Sequence, residues 1–255
     1  MDCIRRQTPW LNPGMTEGQF HRMTLGPGEY YPRIARPLAL AIGPALWSPP
    51  VEEEKGYIAS ARSQLVLLTR KLETVCRTIQ PSEKNLDAYG HEIRNLLILA
   101  ATEVEMHWRG ILTANRSATS QFNSDEYVKL VEPLKLTDYA IEFREIPDLV
   151  PIRPFAGWSN QSPTKSLEWF DAYHGVKHNR EIEFKRGTLR HAFEVVSACI
   201  ALLVAQFGPA AALSAELSSL VGLTLPNWAL GEMYFHRMGS TEWTPVHCPE
   251  LKVVS

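Results

Sequence analysis

The spacing of apolar residues in the first half of the chain predicts two long amphipathic helices. Within residues 53–79, apolar side chains recur three, four and seven positions apart, which places them on one face of a helix. A second stretch with the same periodicity covers residues 83–114. Only residues 80–82 separate the two stretches, and Pro81 cannot continue the first helix because it lacks a backbone N–H. We therefore expect two helices that pack as an antiparallel hairpin.

Three further helices are predicted in the second half of the chain. The pair Ser162-Pro163 is a helix-start pattern, a capping hydroxyl followed by proline at the first helical position, and it predicts a helix over residues 164–179. A strongly apolar helix is expected over residues 188–207 and should end at Gly208. A shorter helix should follow over residues 210–220.

The apolar helix over residues 188–207 is long enough to be compared with a membrane-spanning segment, which needs about 20 mostly apolar residues. Gln206, Gly208 and Pro209 interrupt the apolar run at its end. A central helix of a bundle, buried on all sides, has the same composition. We therefore expect a core helix and no contact with a membrane.

The remaining segments show weaker patterns. Residues 1–52 are rich in proline and glycine and should pack on the body as irregular structure. A short helix is expected over residues 125–130, and alternating polarity around Ile141 predicts one strand. The tail, residues 223–255, should be packed but irregular. The chain is thus predicted to be mainly α, with a helical bundle over residues 53–222.

Composition narrows the classes of function. The chain has 255 residues, of which 45% are hydrophobic and 21% charged, which is typical of a globular protein. Its formal net charge is −2, so binding of nucleic acid or anionic lipid would require a local positive patch. The four cysteines have no paired spacing, and no apolar leader is recognisable near the start of the sequence. We expect reduced thiols and a cytoplasmic location.

One segment, residues 174–191, supplies such a patch. It holds five basic residues, two glutamates and three histidines: Lys177, Arg180, Lys185, Arg186, Arg190, Glu181, Glu183, His174, His178 and His191. Basic side chains bind phosphate groups, and histidine exchanges protons near neutral pH. The alternative is a solvated helix end, where basic residues complement the helix dipole.

A metal site is a second interpretation of the same histidines. His174 and His178 are four positions apart and therefore share one face of a helix. Glu103 and His107 have the same spacing and could supply the remaining ligands from a facing helix.

A resemblance to a known family adds to the phosphate-binding interpretation of residues 174–191. The sequence LEWFDAYH over residues 167–174, followed by VKHNR over residues 176–180 and a long apolar helix, resembles the HEPN superfamily of small α-helical bundles. The sequence YGHEIRNLL, which begins at Tyr89, fits the same family, and the resemblance covers residues 56–207. Many members of this superfamily are ribonucleases of toxin–antitoxin, abortive-infection and CRISPR systems.

The resemblance implies metal-independent cleavage of RNA, without a cofactor, by attack of a ribose 2′-hydroxyl. In the family, an arginine precedes the catalytic histidine by four to six intervening residues, and Arg186 with His191 has this spacing. A second set, which offers the same residue types in reverse order and which we favour, is His178, Asn179 and Arg180 beside His174. Three further cations are expected to bind the substrate: Lys177, Lys185 and Arg190.

The resemblance also implies a homodimer that shares its site across a two-fold axis, and a regulatory partner protein, as in antiviral defence or toxin-like modules. Two other functions remain open at this stage. One is a non-catalytic scaffold or binding protein that keeps the bundle without the chemistry. The other is a metalloenzyme that uses His174, His178, Glu103 and His107.

Overall fold

The computed structural model describes residues 22–38, 47–49, 52–116, 122–237 and 239–251, and the fold is given for these ranges. It confirms a mainly helical protein. Most of the predicted irregular segment 1–52 and the last four residues of the tail lie outside the described residues. The helices are α1 (Lys55–Cys76), α2 (His91–Asn115), α3 (Ser124–Tyr127), α4 (Val131–Leu134), α5 (Glu168–His178), α6 (Arg180–Glu183), α7 (Leu189–Phe207), α8 (Pro209–Ala212) and α9 (Ala215–Leu220).

Helix α7 forms the centre of the fold. It contacts α1, α2 and α5, and nearly every one of its side chains is buried. Thr188 caps its N-terminus by accepting a hydrogen bond from the His191 N–H, and Gly208 ends it with a φ of 81°. By length and composition α7 could cross a membrane, but 83% of its most apolar window is buried inside the fold, as in the core helix of a soluble protein.

Helix α2 begins later than its periodicity predicts. Residues 83–85 form a separate 3₁₀ turn, and the helix starts at His91. The cause is pairing with the start of α7: the Leu189 N–H donates to the Ala88 carbonyl, and the Arg190 N–H donates to the Leu86 carbonyl, both at 2.8 Å. This backbone pairing keeps the chain between the turn and α2 out of helix, so the prediction of one helix over residues 83–114 was wrong at its start.

Helix α5 also starts later than predicted, at Glu168 rather than after Ser162-Pro163. The preceding turns are held by side chains, since the Trp158 indole N–H donates to the Pro163 carbonyl at 2.8 Å. The Ser166 hydroxyl in addition bonds the backbone of Ser159. These contacts satisfy polar groups that a longer helix would have used.

The predicted helix over residues 210–220 is two helices, α8 and α9. Leu213 has an extended backbone, and Ser214 starts α9 by accepting a hydrogen bond from the Leu217 N–H.

The strands form two small sheets at the surface of the bundle. The predicted strand around Ile141 is β2 (Ala140–Phe143), which pairs antiparallel with β3 (Val221–Thr224). The short strands β1 (Glu29–Tyr30) and β4 (Thr244–Pro245) pair in parallel. The segment after β1 packs on the bundle, because the Ala35 N–H donates to the Ala205 carbonyl of α7 at 2.7 Å.

Candidate catalytic site

The last turns of α5 bring two imidazoles together. His174 and His178 lie on one face of the helix, with ring centroids 6.0 Å apart and ring planes 18° apart. This side-by-side arrangement follows from their spacing of four residues. The opposite face of α5 is buried in the core through Trp169 and Val176, so the position of the two histidines is fixed by packing.

The two histidines have different surroundings. His174 is half-buried. Its ring packs edge-to-face against the ring of Phe170, with the two centroids 4.6 Å apart. Burial lowers the pKa of His174, and the nearby carboxylate of Glu105 opposes this shift without cancelling it. His178 is exposed to solvent. His174 is therefore neutral at pH 7 and available as a proton acceptor, beside a second imidazole that is open to water.

A chain of polar contacts from α5 to α2 lies beside these rings. The Lys177 ammonium donates to the Tyr173 hydroxyl oxygen at 2.6 Å, and the Tyr173 hydroxyl donates to the Glu105 carboxylate at 3.3 Å. This hydrogen bond to Tyr173 raises the pKa of Lys177, which keeps it charged. Lys177 is thus a fixed cation one residue away from His178.

Helix α2 adds a second cation that the sequence did not indicate. The Arg109 guanidinium donates to the Tyr127 hydroxyl at 2.9 Å, and it lies close enough to Glu105 and Tyr173 for their charges to act on it. Glu105 and Arg109 are four residues apart, and this spacing in the sequence predicts that the two side chains are neighbours on one face of a helix. Their connection to α5 depends on long-range packing, which local spacing cannot reveal.

The second half of the predicted patch is arranged differently. Asn179, Arg180 and Lys185 are exposed at the corner between α5 and α7. Asn179 contributes its backbone, since its N–H donates to the Gly175 carbonyl and ends α5. Arg180 is the first residue of α6, and its side chain is exposed.

The pair with the family spacing, Arg186 and His191, is joined through the backbone. The His191 ring nitrogen Nδ1 lies 2.7 Å from the Arg186 carbonyl oxygen, and because a carbonyl only accepts, Nδ1 donates. The Arg186 guanidinium is bound to Asp171 and, at 3.1 Å, to Glu183. Burial lowers the pKa of His191. The arginine of this pair is therefore neutralised by two carboxylates.

Arg190 is paired in the same way, with Glu83 at 2.9 Å and Asp87 at 4.0 Å. Of the three cations expected to bind substrate, Lys177 alone lies beside the two imidazoles. Lys185 is exposed, and Arg190 is paired with Glu83 and Asp87, which precede α2 in the chain.

The four-ligand metal set is not assembled. His107 is 2% exposed and contacts Tyr57 and Gln206, on the face of α2 opposite the one that carries Glu105 and Arg109. Among the described residues, no three histidine, cysteine, aspartate or glutamate side chains are placed to share a metal ion. The metalloenzyme interpretation is therefore dropped.

One buried carboxyl near His191 gives a prediction about stability. Burial raises the pKa of Glu194 to about 7, and within the described residues its Oε2 atom has no hydrogen-bond partner. The folded carboxyl keeps its proton up to about pH 7, whereas the unfolded one loses it near 4.5. The stability that this group contributes is present below pH 4.5 and is lost as the pH rises through 7.

We expect Glu194→Gln to raise the free energy of unfolding by about 1–3 kcal/mol at pH 8, because the amide needs no proton to remain neutral. Urea unfolding at pH 5 and pH 8 measures the effect, which should shrink at the lower pH. The exposed Glu181→Gln serves as the matched control. An equal effect at both pH values would show that the Glu194 carboxyl is already ionised in the folded protein.

Comparison with known proteins returned no relative of this chain. No family model matches it, and neither a curated protein nor a solved structure does. Its function is therefore inferred from the contacts and charges described above.

Proposed function

We propose that this protein is a metal-independent endoribonuclease of the HEPN type, which cleaves cytoplasmic RNA at the face of α5 that carries His174 and His178. The observation that carries the proposal is the pair of adjacent imidazoles, one held neutral by burial and one exposed, beside the fixed cation Lys177. General acid–base catalysis on a phosphodiester requires groups of this kind, and a preorganised cation stabilises the charge of the transition state.

The proposed reaction needs no water and no cofactor. His174 accepts the proton of a ribose 2′-hydroxyl, whose oxygen attacks the neighbouring phosphorus. The bond from phosphorus to the 5′-oxygen of the next nucleotide breaks, and protonated His178 donates a proton to that oxygen. Lys177 and Arg109 stabilise the added negative charge on the phosphate oxygens. The products are a 2′,3′-cyclic phosphate and a 5′-hydroxyl.

This proposal places the chemistry on different residues from the arginine–histidine pair of the family. Arg186 is bound to two carboxylates, so its charge is not available to a phosphate. The reverse set that the sequence favours contributes His178 directly, and Arg180 is an exposed cation two residues further along the chain. A role in bacterial defence or in a toxin-like module, and the homodimer, remain predictions of the resemblance.

A second candidate is a non-catalytic protein that binds RNA or a partner on the same face. It is favoured by the neutralisation of Arg186 and Arg190, which leaves less positive charge in the patch than its composition suggests. The two candidates differ in one result: the binding protein retains RNA without cleaving it.

The test is incubation of the purified chain with an end-labelled RNA in the presence of EDTA. We expect cleavage that leaves a 2′,3′-cyclic phosphate, and no cleavage where a single 2′-deoxy nucleotide replaces the attacked ribose. His178→Ala should abolish the activity without unfolding the protein, because this side chain is exposed. The exposed His247→Ala is the matched control and should retain full activity. RNA that stays intact at high protein concentration would rule out the proposal.

A further inference from the structure

Lys177 meets a carboxylate in a different way from the two paired arginines of its segment. The guanidinium groups of Arg186 and Arg190 are bound directly to carboxylates. The Lys177 ammonium reaches Glu105 only through the Tyr173 hydroxyl. In the part of the chain that the structure describes, no carboxylate forms an ion pair with Lys177.

The direction of both hydrogen bonds follows from the chemistry of the groups. An ammonium has donors only, so the Lys177 Nζ atom donates and the Tyr173 oxygen accepts, at 2.6 Å. The hydroxyl has one hydrogen, and a Glu105 carboxylate oxygen 3.3 Å away accepts it. One oxygen atom therefore stands between the cation and the anion and is bonded to both.

Tyr173 can act as a fixed spacer because packing holds its ring. The residue is 0% exposed, and its ring stacks on that of Phe170 at a centroid distance of 5.9 Å. Lys177 has an exposed side chain on a flexible stem, and its ammonium lies 4.8 Å from the centre of the Tyr173 ring. A buried ring thus holds the end of a flexible cation in one place.

Without the hydroxyl, the ammonium and the carboxylate would meet directly. They are separated by two hydrogen bonds in series, and the flexible lysine stem can close this gap. The pKa of Lys177 is raised chiefly by the hydrogen bond to Tyr173, and the charge of Glu105 adds to the rise across the gap. A direct pair would neutralise Lys177 in the same way as Arg186 is neutralised.

We propose that the Tyr173 hydroxyl is a positioning group that keeps the Lys177 ammonium out of an ion pair with Glu105 and leaves its charge available to a phosphate of the RNA. This inference rests on the proposed function, because it explains how one cation of the α5 face stays unpaired. Tyr173 acts through Lys177 and does not touch the substrate itself.

Tyr173→Phe tests this role because it removes the hydroxyl and keeps the ring. We expect kcat/KM for RNA cleavage to fall about tenfold, the effect of losing one charge-assisted contact. Binding is measured with 2′-O-methyl RNA, which lacks the attacking hydroxyl and stays intact. The plot of log Kd against log salt concentration should lose about one unit of slope, because one fewer phosphate is neutralised. A smaller amount of folded protein would leave this slope unchanged.

Rescue by a second substitution separates the spacer role from a loss of stability. When Tyr173→Phe is combined with Glu105→Gln, the amide carries no charge, so Lys177 should again be available and kcat/KM and the salt slope should return toward the parent values. Tyr139→Phe is the matched control, since Tyr139 is 1% exposed and its hydroxyl has no hydrogen-bond partner within the described ranges. It should behave like the parent.

The state of Lys177 is also measured without RNA, by the rate at which acetic anhydride acetylates its amine, with the exposed Lys185 as the internal reference. An ion pair favours the charged, unreactive form, so acetylation of Lys177 should slow severalfold in Tyr173→Phe and recover in the double variant. Unchanged acetylation or unchanged kcat/KM in Tyr173→Phe, or the absence of rescue, overturns the inference. If acetylation follows the expected pattern while RNA stays intact, the proposed function fails and the spacer role of Tyr173 stands.

Discussion

His174→Gln is expected to lower the rate of RNA cleavage by about 10²–10⁴-fold, the usual contribution of a positioned general base. His174 packs on Phe170, and burial lowers its pKa, so the ring is unprotonated at neutral pH. Glutamine keeps a polar side chain in the same place but cannot take up a proton. The measurement is kcat/KM for a short RNA, compared with the parent protein and with His247→Gln.

The pH dependence distinguishes a catalytic His174 from a structural one. A general base must be neutral to act, so cleavage should fall as the pH drops through the pKa of His174. Since burial lowers this pKa from its ordinary value of 6.5, the acidic limb of the kcat/KM profile should lie below 6.5. In His174→Gln this limb should disappear from the residual activity. A variant that cleaves at the parent rate, or that keeps the same acidic limb, would contradict the assignment.

Much of the helical fold can be predicted from local sequence signals. Helix α7 is predicted to within one residue at its start because a capping threonine, Thr188, and a terminating glycine, Gly208, bracket a continuous apolar run. Such signals act within a few residues, and the sequence displays them directly. The strand around Ile141 is found for the same reason, from its alternation of apolar and polar side chains.

The errors occur where distant residues compete with local signals. The start of α2 is displaced because residues 86–89 pair with the first turn of α7, about 100 positions later. The start of α5 is displaced because Trp158 and Ser166 bind the backbone that Ser162-Pro163 would have placed in a helix. Spacing along one element carries no information about these partners.

In the candidate site, too, the sequence predicts what local spacing determines and misses what contacts between distant residues determine. The spacing of His174 and His178 places both rings on one face of α5, as their sequence positions predict. Arg109 and Tyr127 could not be assigned in this way, because they reach the site through the packing of α2 and α3. Arg186 illustrates the converse: its spacing to His191 suggests a catalytic pair, and its ion pairs become visible only in three dimensions.

Trp108→Ala is expected to lower the free energy of unfolding by about 3–5 kcal/mol, one of the largest effects of any single substitution in this fold. Trp108 on α2 is 0% exposed and lies in an aromatic cluster, with centroids 4.9 Å from Trp158 and 5.2 Å from Phe170. Alanine would leave a cavity that these large rings cannot fill by small shifts. Urea unfolding measures the loss, and Trp243→Ala, in the half-exposed tail, should cost much less.

Trp108→Phe provides a sharper test of what the tryptophan contributes. The Trp108 indole N–H is buried, and no acceptor for it exists among the residues that the structure describes. Burial of an unpaired donor costs about 1–3 kcal/mol, so the loss of this group offsets part of the packing that the smaller ring gives up. We therefore expect Trp108→Phe to be much less destabilising than Trp108→Ala. Equal losses would mean that the indole N–H is hydrogen-bonded. Because Phe170 links Trp108 to His174, the alanine variant should also lose RNA cleavage at temperatures where it is still folded.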